Sequence, residues 1–448
     1  MVSLRREWRL FDQDGSNASD FLELCERMLD VGEFLLAHDV ARAGLKKFKA
    51  HRSLSQRSAF ALAKAGSPGL AVPTLEELVA SGIRDTETLS LLASTYKDLC
   101  ETAVDPEKKQ EYADLAIARY EQSYFSEDAP DHGQSSADNL YYPCINVAFM
   151  HFVCMNYTKA RDYAAKARDL CLEIKESGNA NYWVQATIAE AHLYLGLIKE
   201  SADAYQEAVE MEDAQPAHVA STRKQALQIS LLYEDDSIRQ KIQEVFPKLG
   251  IVACSGHLID SPGKRRRFPQ EAEEIVRSKI DQRLNEIDAT CGYSSAGCGT
   301  DIIFLEVMAE RGGETHVFLP FAKEEFIETS VRRAGGNWVA RFEKVLDHAT
   351  SVHYVTNEGY YGDDSLFSFC NEVMLGFAAM RGRGLDEDPN LLVIWDGTPG
   401  STGGTGELVE AWREEFNEPE IIDSKTILDN SSDPEPVRIH SGETRPNF

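Results

Sequence analysis

Residues 182–211 read YWVQATIAEAHLYLGLIKESADAYQEAVEM. Apolar and small residues recur every three to four positions, which places them on one helical face. Gly196 interrupts the pattern, so the stretch predicts two helices joined by a turn. On the second helix Ala202, Tyr205, Ala208 and Val209 share the inner face, and the small side chains there let two helices approach closely. One unit earlier, residues 143–171 read PCINVAFMHFVCMNYTKARDYAAKARDLC. Superposing the two sets Ala148 against Ala189, Ala160 against Ser201 and Ala167 against Ala208, a period of about 41 residues. Working outward, Ala93 and Tyr96 followed by Ala116 and Tyr120 mark another unit, and Gly32, Phe34, Ala37 and Ala41 mark the first. Residues 52–81 form a weaker unit, with Pro68 and Pro73 as expected interruptions.

Small residues at fixed points of a repeated helix–turn–helix, with aromatics between them, resemble tetratricopeptide repeats. The family's period is about 34 residues, so the longer spacing here implies longer loops or helices. The resemblance implies a stack of helix pairs in which each pair buries its face against the next. A plain helical bundle is the competing arrangement. The stretches LEELVASGIRDTETLSLLASTYKDL, YYPCINVAFM and NYWVQATIAEAHLYLG, within residues 75–230, also resemble the helical TRAF-binding region of the apoptosis signal-regulating kinases. That resemblance implies a regulatory scaffold in signalling. No VAIK, HRD or DFG set accompanies it, so kinase chemistry is not expected.

The composition separates this region from the rest of the chain. Of 30 glycines, nine precede residue 250 and 21 lie from Gly250 onward. The 448 residues, 43% of them hydrophobic, suffice for two or three domains with sizeable cores. The expected division is a helical repeat domain over 1–245, an α/β Rossmannoid domain over 246–424 and a flexible polar tail over 425–448. A formal charge of -28 excludes a broad electrostatic grip on nucleic acid or anionic membrane, since both are polyanions. Nine cysteines without CxxC spacing suggest free thiols in a reducing cytoplasm. The N-terminus lacks the apolar core of a signal peptide. No apolar run reaches about 18 residues, so no membrane span is expected.

From Gly250 the texture alternates. GIVACSGHLI, ATCGYSS, THVFLPF, SVHYVTN and NLLVIWDG read as strands, and EPEIID as a possible sixth. Helices are expected at 268–287, 299–312, 322–332, 338–350, 364–382 and 405–416. Strands alternating with helices predict a parallel sheet, and ligands of such sheets bind beyond the carboxyl ends of the strands.

Three strand ends carry candidate residues. After the first come Gly256, His257 and the basic run Lys264, Arg265, Arg266 and Arg267, either an anion site or a solvated loop. After the second, Ser294, Ser295, Gly297, Gly299 and Thr300 form a small, glycine-rich loop that opens a helix. Such a loop suits an anionic ligand, or it is a tight structural turn. It matches neither Walker A nor the dinucleotide fingerprint. After the fifth, Asp396 precedes GTPGSTGGTGE, a second glycine-rich loop that either shapes the same crevice or merely connects. On the helix after Thr300, Asp301 and Glu306 are candidate acids. They lie five residues apart, roughly 140° around a helix, so they are not a close pair unless Asp301 precedes the helix. Glu306 and Glu310 alternatively face solvent. His257, His316, His348 and His353 show no zinc-ligand spacing, and neither a metal nor a cofactor is expected.

This arrangement resembles the nucleoside deoxyribosyltransferase and lysine-decarboxylase-like group of Rossmannoid domains. It implies binding of a nucleotide-like ligand by Gly297, Gly299 and Thr300, with Glu306 as the acid. Here the acid lies further from the Gly-Thr pair than is usual in that group. The first functional expectation is therefore a cytoplasmic signalling protein whose repeats bind a protein partner and whose α/β domain binds a nucleotide-like small molecule. The alternatives are a hydrolase or transferase acting on N-glycosidic bonds of a nucleotide derivative, and a non-catalytic scaffold.

Overall fold

The computed structural model describes residues 4–125, 136–261, 267–400 and 402–431. Polar caps and turn glycines cut the first half into α1 Leu4–Leu10, α2 Ala18–Asp30, α3 Phe34–Lys47, α4 Arg52–Lys64, α5 Pro68–Ala80, α6 Thr86–Thr102, α7 Pro106–Tyr124, α8 Ser136–Val153, α9 Tyr157–Glu176, α10 Tyr182–Tyr194, α11 Ile198–Val209, α12 Pro216–Ser230 and α13 Asp236–Val245. Asn17 accepts the N–H groups of Ser19 and Asp20, and the Asp20 carboxylate accepts the Asn17 N–H in return. This reciprocal box satisfies donors that a helix start leaves unpaired. Asp85, Asp105, Asn156, Asn181 and Asp235 cap later helices with their side chains. Gly196 turns the chain between α10 and α11 at φ +79°, in the left-handed region where a side chain is strained.

Consecutive helices pack in pairs from α2/α3 to α12/α13. The small residues of the repeat carry the contact: Ala148, Ala160, Ala164, Ala167, Ala189 and Ser201 are all buried. Tyr120, Tyr182, Tyr194 and Tyr205 fill the space between pairs. The weak unit at 52–81 is a complete pair, α4/α5. Pro68 opens α5 rather than interrupting it, because the first turn of a helix has no use for the missing N–H.

The chain forms two compact units, Met1–Leu249 with Ala379–Asp388, and Gly250–Ala378 with Pro389–Phe448. The first unit therefore takes in a short segment from far downstream, which the expected boundaries did not foresee. Arg223 of α12 holds that segment. It donates to the Glu387 carboxylate and to the carbonyls of Leu385 and Asp386. Arg381 donates to the Val31 carbonyl beyond α2.

In the second unit β1 Gly250–Gly256, β2 Ala289–Ser294, β3 Glu314–Leu319, β4 Ser351–Tyr354, β5 Asn390–Trp395 and β6 Glu420–Asp423 form one parallel sheet, in the order β4-β3-β2-β1-β5-β6. Its helices are α14 Glu273–Glu286, α15 Thr300–Glu310, α16 Lys323–Phe326, α17 Trp338–His348, α18 Ser365–Leu385, α19 Thr405–Glu415 and α20 Ser424–Ser431. The central strands are buried along nearly their whole length, as expected for parallel strands. The helix expected at 322–332 is shorter. After α16 the backbone widens into a π turn at Ile327–Val331, and the Ser330 carbonyl accepts the Cys298 N–H at 2.9 Å. The start of the expected tail is α20, and residues 432–448 lie outside the described residues. No described helix is long and apolar enough to cross a membrane.

The packing of the array depends on side-chain size. Ala167 is fully buried between helices. Ala167→Leu should lower stability by about 1–3 kcal/mol through overpacking. Urea unfolding followed by circular dichroism would show this as a lower midpoint.

Candidate functional site

The sheet order changes direction at β1. From β1 the chain adds β2, β3 and β4 on one side, then returns to place β5 and β6 on the other. Beyond the carboxyl ends of β1 and β5 lies a crevice of ≈ 450 Å³. Gly256, His257, Asp260, Arg267, Arg333 and Trp395 are among its lining residues, with Gly404–Gly406 at the start of α19.

His257 lines the crevice, and Asp396 is bonded to it. The Asp396 N–H donates to His257 Nε2 at 3.2 Å, so Nε2 is an acceptor and the ring is neutral there. Burial holds the imidazole below its ordinary pKa, and Arg267 adds to this against the opposing charge of Asp396. The Asp396 carboxyl is also buried, yet it is held down at about 2. Burial opposes ionisation, but the N–H and O–H of Thr398 donate to Oδ1, and the Arg267 guanidinium favours the anion. Arg267 Nε lies 3.6 Å from Asp396 Oδ2, and its Nη2 donates to Thr398 Oγ1 at 3.1 Å. The Arg267 backbone N–H donates to the Asp260 carboxylate, which also accepts from Phe268. Trp395 Nε1 donates to the Thr398 carbonyl at 2.9 Å, which ties the ring to the same turn. A guanidinium is thus fixed beside a buried neutral imidazole, with exposed Arg333 on the same crevice.

The structure brings Gly256, His257, Arg267 and Asp396 together. It leaves the second loop out of the crevice. Ser294 Oγ donates to the Cys254 carbonyl at 2.8 Å, and Thr300 Oγ1 to the His257 carbonyl at 3.1 Å. Gly299 forms a β-bridge with Leu258, and a Cβ on it would lie 2.7 Å from the Ile259 nitrogen. A Cβ on Gly297 would strike Leu258 at 2.6 Å. The glycines and hydroxyls therefore serve close packing behind residues 256–259. Ser294, Gly297, Gly299 and Thr300 are buried and Ser295 half-buried. Arg265 and Arg266, with Lys264, lie outside the described residues.

Glu306 is also elsewhere. It accepts from Arg341 Nη2 at 2.7 Å and from Arg277 at 3.3 Å, in a network that includes Glu273 and Glu310. Asp301 sits in the first turn of α15, buried, with Oδ2 accepting the Gly297 N–H at 3.1 Å. Burial pushes its carboxyl up to about 7, against the pull of that N–H.

Arg333 and Trp395 were missed from sequence. Arg333 follows a π turn that periodicity does not reveal, and Trp395 reads as a strand residue. A group of possible metal ligands was also missed, because it forms across two strands. Cys291, Glu314 and His316 place ligand atoms within 4.8 Å of one another. Three donors fall short of the four that close a structural zinc site, and His316 Nδ1 is bonded to Ser351 at 2.7 Å.

Residues 33–151 match the family model described as Tetratricopeptide Repeats-Sensor. No curated protein matches the chain. Among solved structures, a thermophilic tetratricopeptide-repeat protein of Thermus thermophilus is 17% identical, covers 48% of this chain and 100% of its own, and has a TM-score of 0.37. The pilF protein of Pseudomonas aeruginosa is 12% identical over 50% of this chain and 88% of its own, with a TM-score of 0.31. A tetratricopeptide repeat protein from Parabacteroides merdae gives 12% identity, 51% and 98% coverage and a TM-score of 0.25. The matched family model and the paired helices together make the first unit tetratricopeptide-like, an architecture that supports a protein-interaction role.

Asp301 makes stability depend on pH. Its folded pKa of about 7 exceeds the roughly 3.9 of an unfolded aspartate. The protonated acid is tolerated below about pH 4. Stability then falls as pH rises towards 7, by at most about 1.4 kcal/mol per pH unit, and levels off above. Asp301→Asn should remove this component, so that its melting temperature exceeds that of wild type at pH 8 and the gap narrows at pH 5. A gap of constant size across that range would exclude Asp301 as its source.

Proposed function

We propose that the chain is a cytoplasmic regulatory protein whose helical array engages a protein partner and whose α/β unit holds a nucleotide-like small molecule. The observation that carries the ligand reading is the position of the crevice. It lies outside the carboxyl ends of β1 and β5, where the strand order switches, which is where open α/β sheets bind their ligands. Its volume falls in the range of small-molecule sites. The chemistry agrees. Arg267 and Arg333 supply guanidinium groups for a phosphate, and the start of α19 supplies backbone N–H groups. Trp395 offers an aromatic edge, and His257 a neutral ring held in one orientation.

The likeness of residues 75–230 to the TRAF-binding region supports the signalling part of this reading. The nine cysteines, all free and eight of them buried, suit a reducing compartment. The glycosidic-bond alternative has lost its acid, because Glu306 is engaged by two arginines away from the crevice.

Calorimetry of the intact protein with a panel of purine and pyrimidine mono- and diphosphates tests the ligand. Binding by at least one is expected. Arg267→Ala should weaken it about 10- to 100-fold, the effect of a hydrogen bond to a charged group, whereas Glu306→Gln should leave it unchanged. No binding by any member of the panel, or affinity indifferent to loss of both Arg267 and Arg333, would overturn the reading.

A further inference from the structure

A larger cavity, ≈ 830 Å³, lies wholly within the helical unit. The first helices of successive pairs face it: α2, α4, α6, α8, α10 and α12 all contribute. The array closes on itself around this space. His218 of α12 pairs with Asp30 of α2 at 3.2 Å, and Ala379–Asp388 is bound between Arg223 and the turn after α2.

Most charges around the cavity are matched in pairs, Lys64 with Asp98 at 2.9 Å and Lys224 with Glu101 at 2.6 Å. Lys97 differs. Its ammonium donates to the side-chain oxygens of Gln225 at 2.8 Å and Asn146 at 3.2 Å, and it lies 4.7 Å from the centre of the Phe149 ring. No carboxylate among the described residues is within salt-bridge distance of it. Glu190 sits on the far side of Gln225, whose Nε2 donates to its Oε1 at 2.8 Å. Burial lowers the Lys97 pKa and raises that of Glu190, so both charges are disfavoured. A half-buried cation held by two amide oxygens, with the nearby Glu101 carboxylate bonded to Lys224, is under-compensated, and an anion placed there regains part of what desolvation removed. On the same cavity wall Trp183, tilted against His218 with ring centres 4.6 Å apart, offers apolar surface with Leu29, Phe60 and Ile145.

We propose that this cavity is a second ligand site, for a compact organic anion whose carboxylate or phosphate is bound by Lys97 and whose planar or apolar body lies against Trp183. A closed ring and a volume within the small-molecule range favour such a ligand over a threaded peptide. The site is independent of the α/β crevice, since none of its groups belongs to that unit.

Pyridoxal 5′-phosphate tests it on the intact protein, being a planar organic anion with an aldehyde. The unprotonated Lys97 amine adds to the aldehyde carbon and water leaves as the imine forms. Borohydride then delivers hydride to that carbon and solvent protonates the nitrogen, which leaves a stable label for peptide mass mapping. Lys97 should be labelled several-fold faster than exposed Lys159 and Lys199. Inorganic phosphate slowing the label identifies a phosphate site, and citrate alone slowing it identifies a carboxylate site. Glu190→Gln should accelerate labelling by removing residual negative charge, and Arg267→Ala should not change it. Labelling of Lys97 no faster than of Lys159 in protein with native circular dichroism, or labelling that neither anion slows, would overturn the proposal.

Discussion

One buried guanidinium holds the helical unit closed. Arg223 is 9% exposed and reaches from α12 to a carboxylate and two backbone carbonyls of residues 385–387. Those carbonyls belong to a helix end, where intrahelical donors run out and the partial charge is negative. A planar, permanently charged fork suits such a cluster better than an ammonium would. Without this clasp, and without the Asp30–His218 pair, the array would be an open stack with its inner faces wet. With them, Glu190 is buried and Lys97 half-buried, and their electrostatics change accordingly.

A comparable division of labour exists in the α/β unit. The crevice residues after β1 stay in place because a second loop packs beneath them. Thr300 donates to the His257 carbonyl, and Gly299 meets the backbone of His257, Leu258 and Ile259 at distances that exclude any side chain. His257 can then accept from Asp396 across the two strands, and Thr398 and Arg267 keep Asp396 ionised. Small residues thus serve backbone contact, while long cationic ones face the space left open.

Much of this was legible in the chain. The strands from GIVACSGHLI to EPEIID and the helix pairs follow from periodicity, since burial on one face leaves a regular trace whatever the partner. His257, Arg267 and Asp396 were legible because parallel sheets present residues at predictable strand ends. The glycine-rich loop around Gly297 was ambiguous for a physical reason. Close approach to a ligand and close approach to another backbone demand the same lack of side chain. Glu306 misled because a carboxylate among apolar neighbours has the same sequence context whether arginines reach it or not. Arg277 and Arg341 do so from separate helices.

By itself the sequence determined the local periods, the caps and turns, the break in texture near Gly250 and the charge that disfavours polyanionic partners. These depend on residues near one another or on sums over the chain. Only the tertiary structure decided which polar groups ended up buried and with whom. The inclusion of residues 379–388 in the helical unit, the holding of the Lys97 ammonium by Gln225 and Asn146 and the meeting of Arg333 with the β1 and β5 ends all arise between residues far apart in sequence. Desolvation and charge pairing act through space, so no pattern along the chain records them.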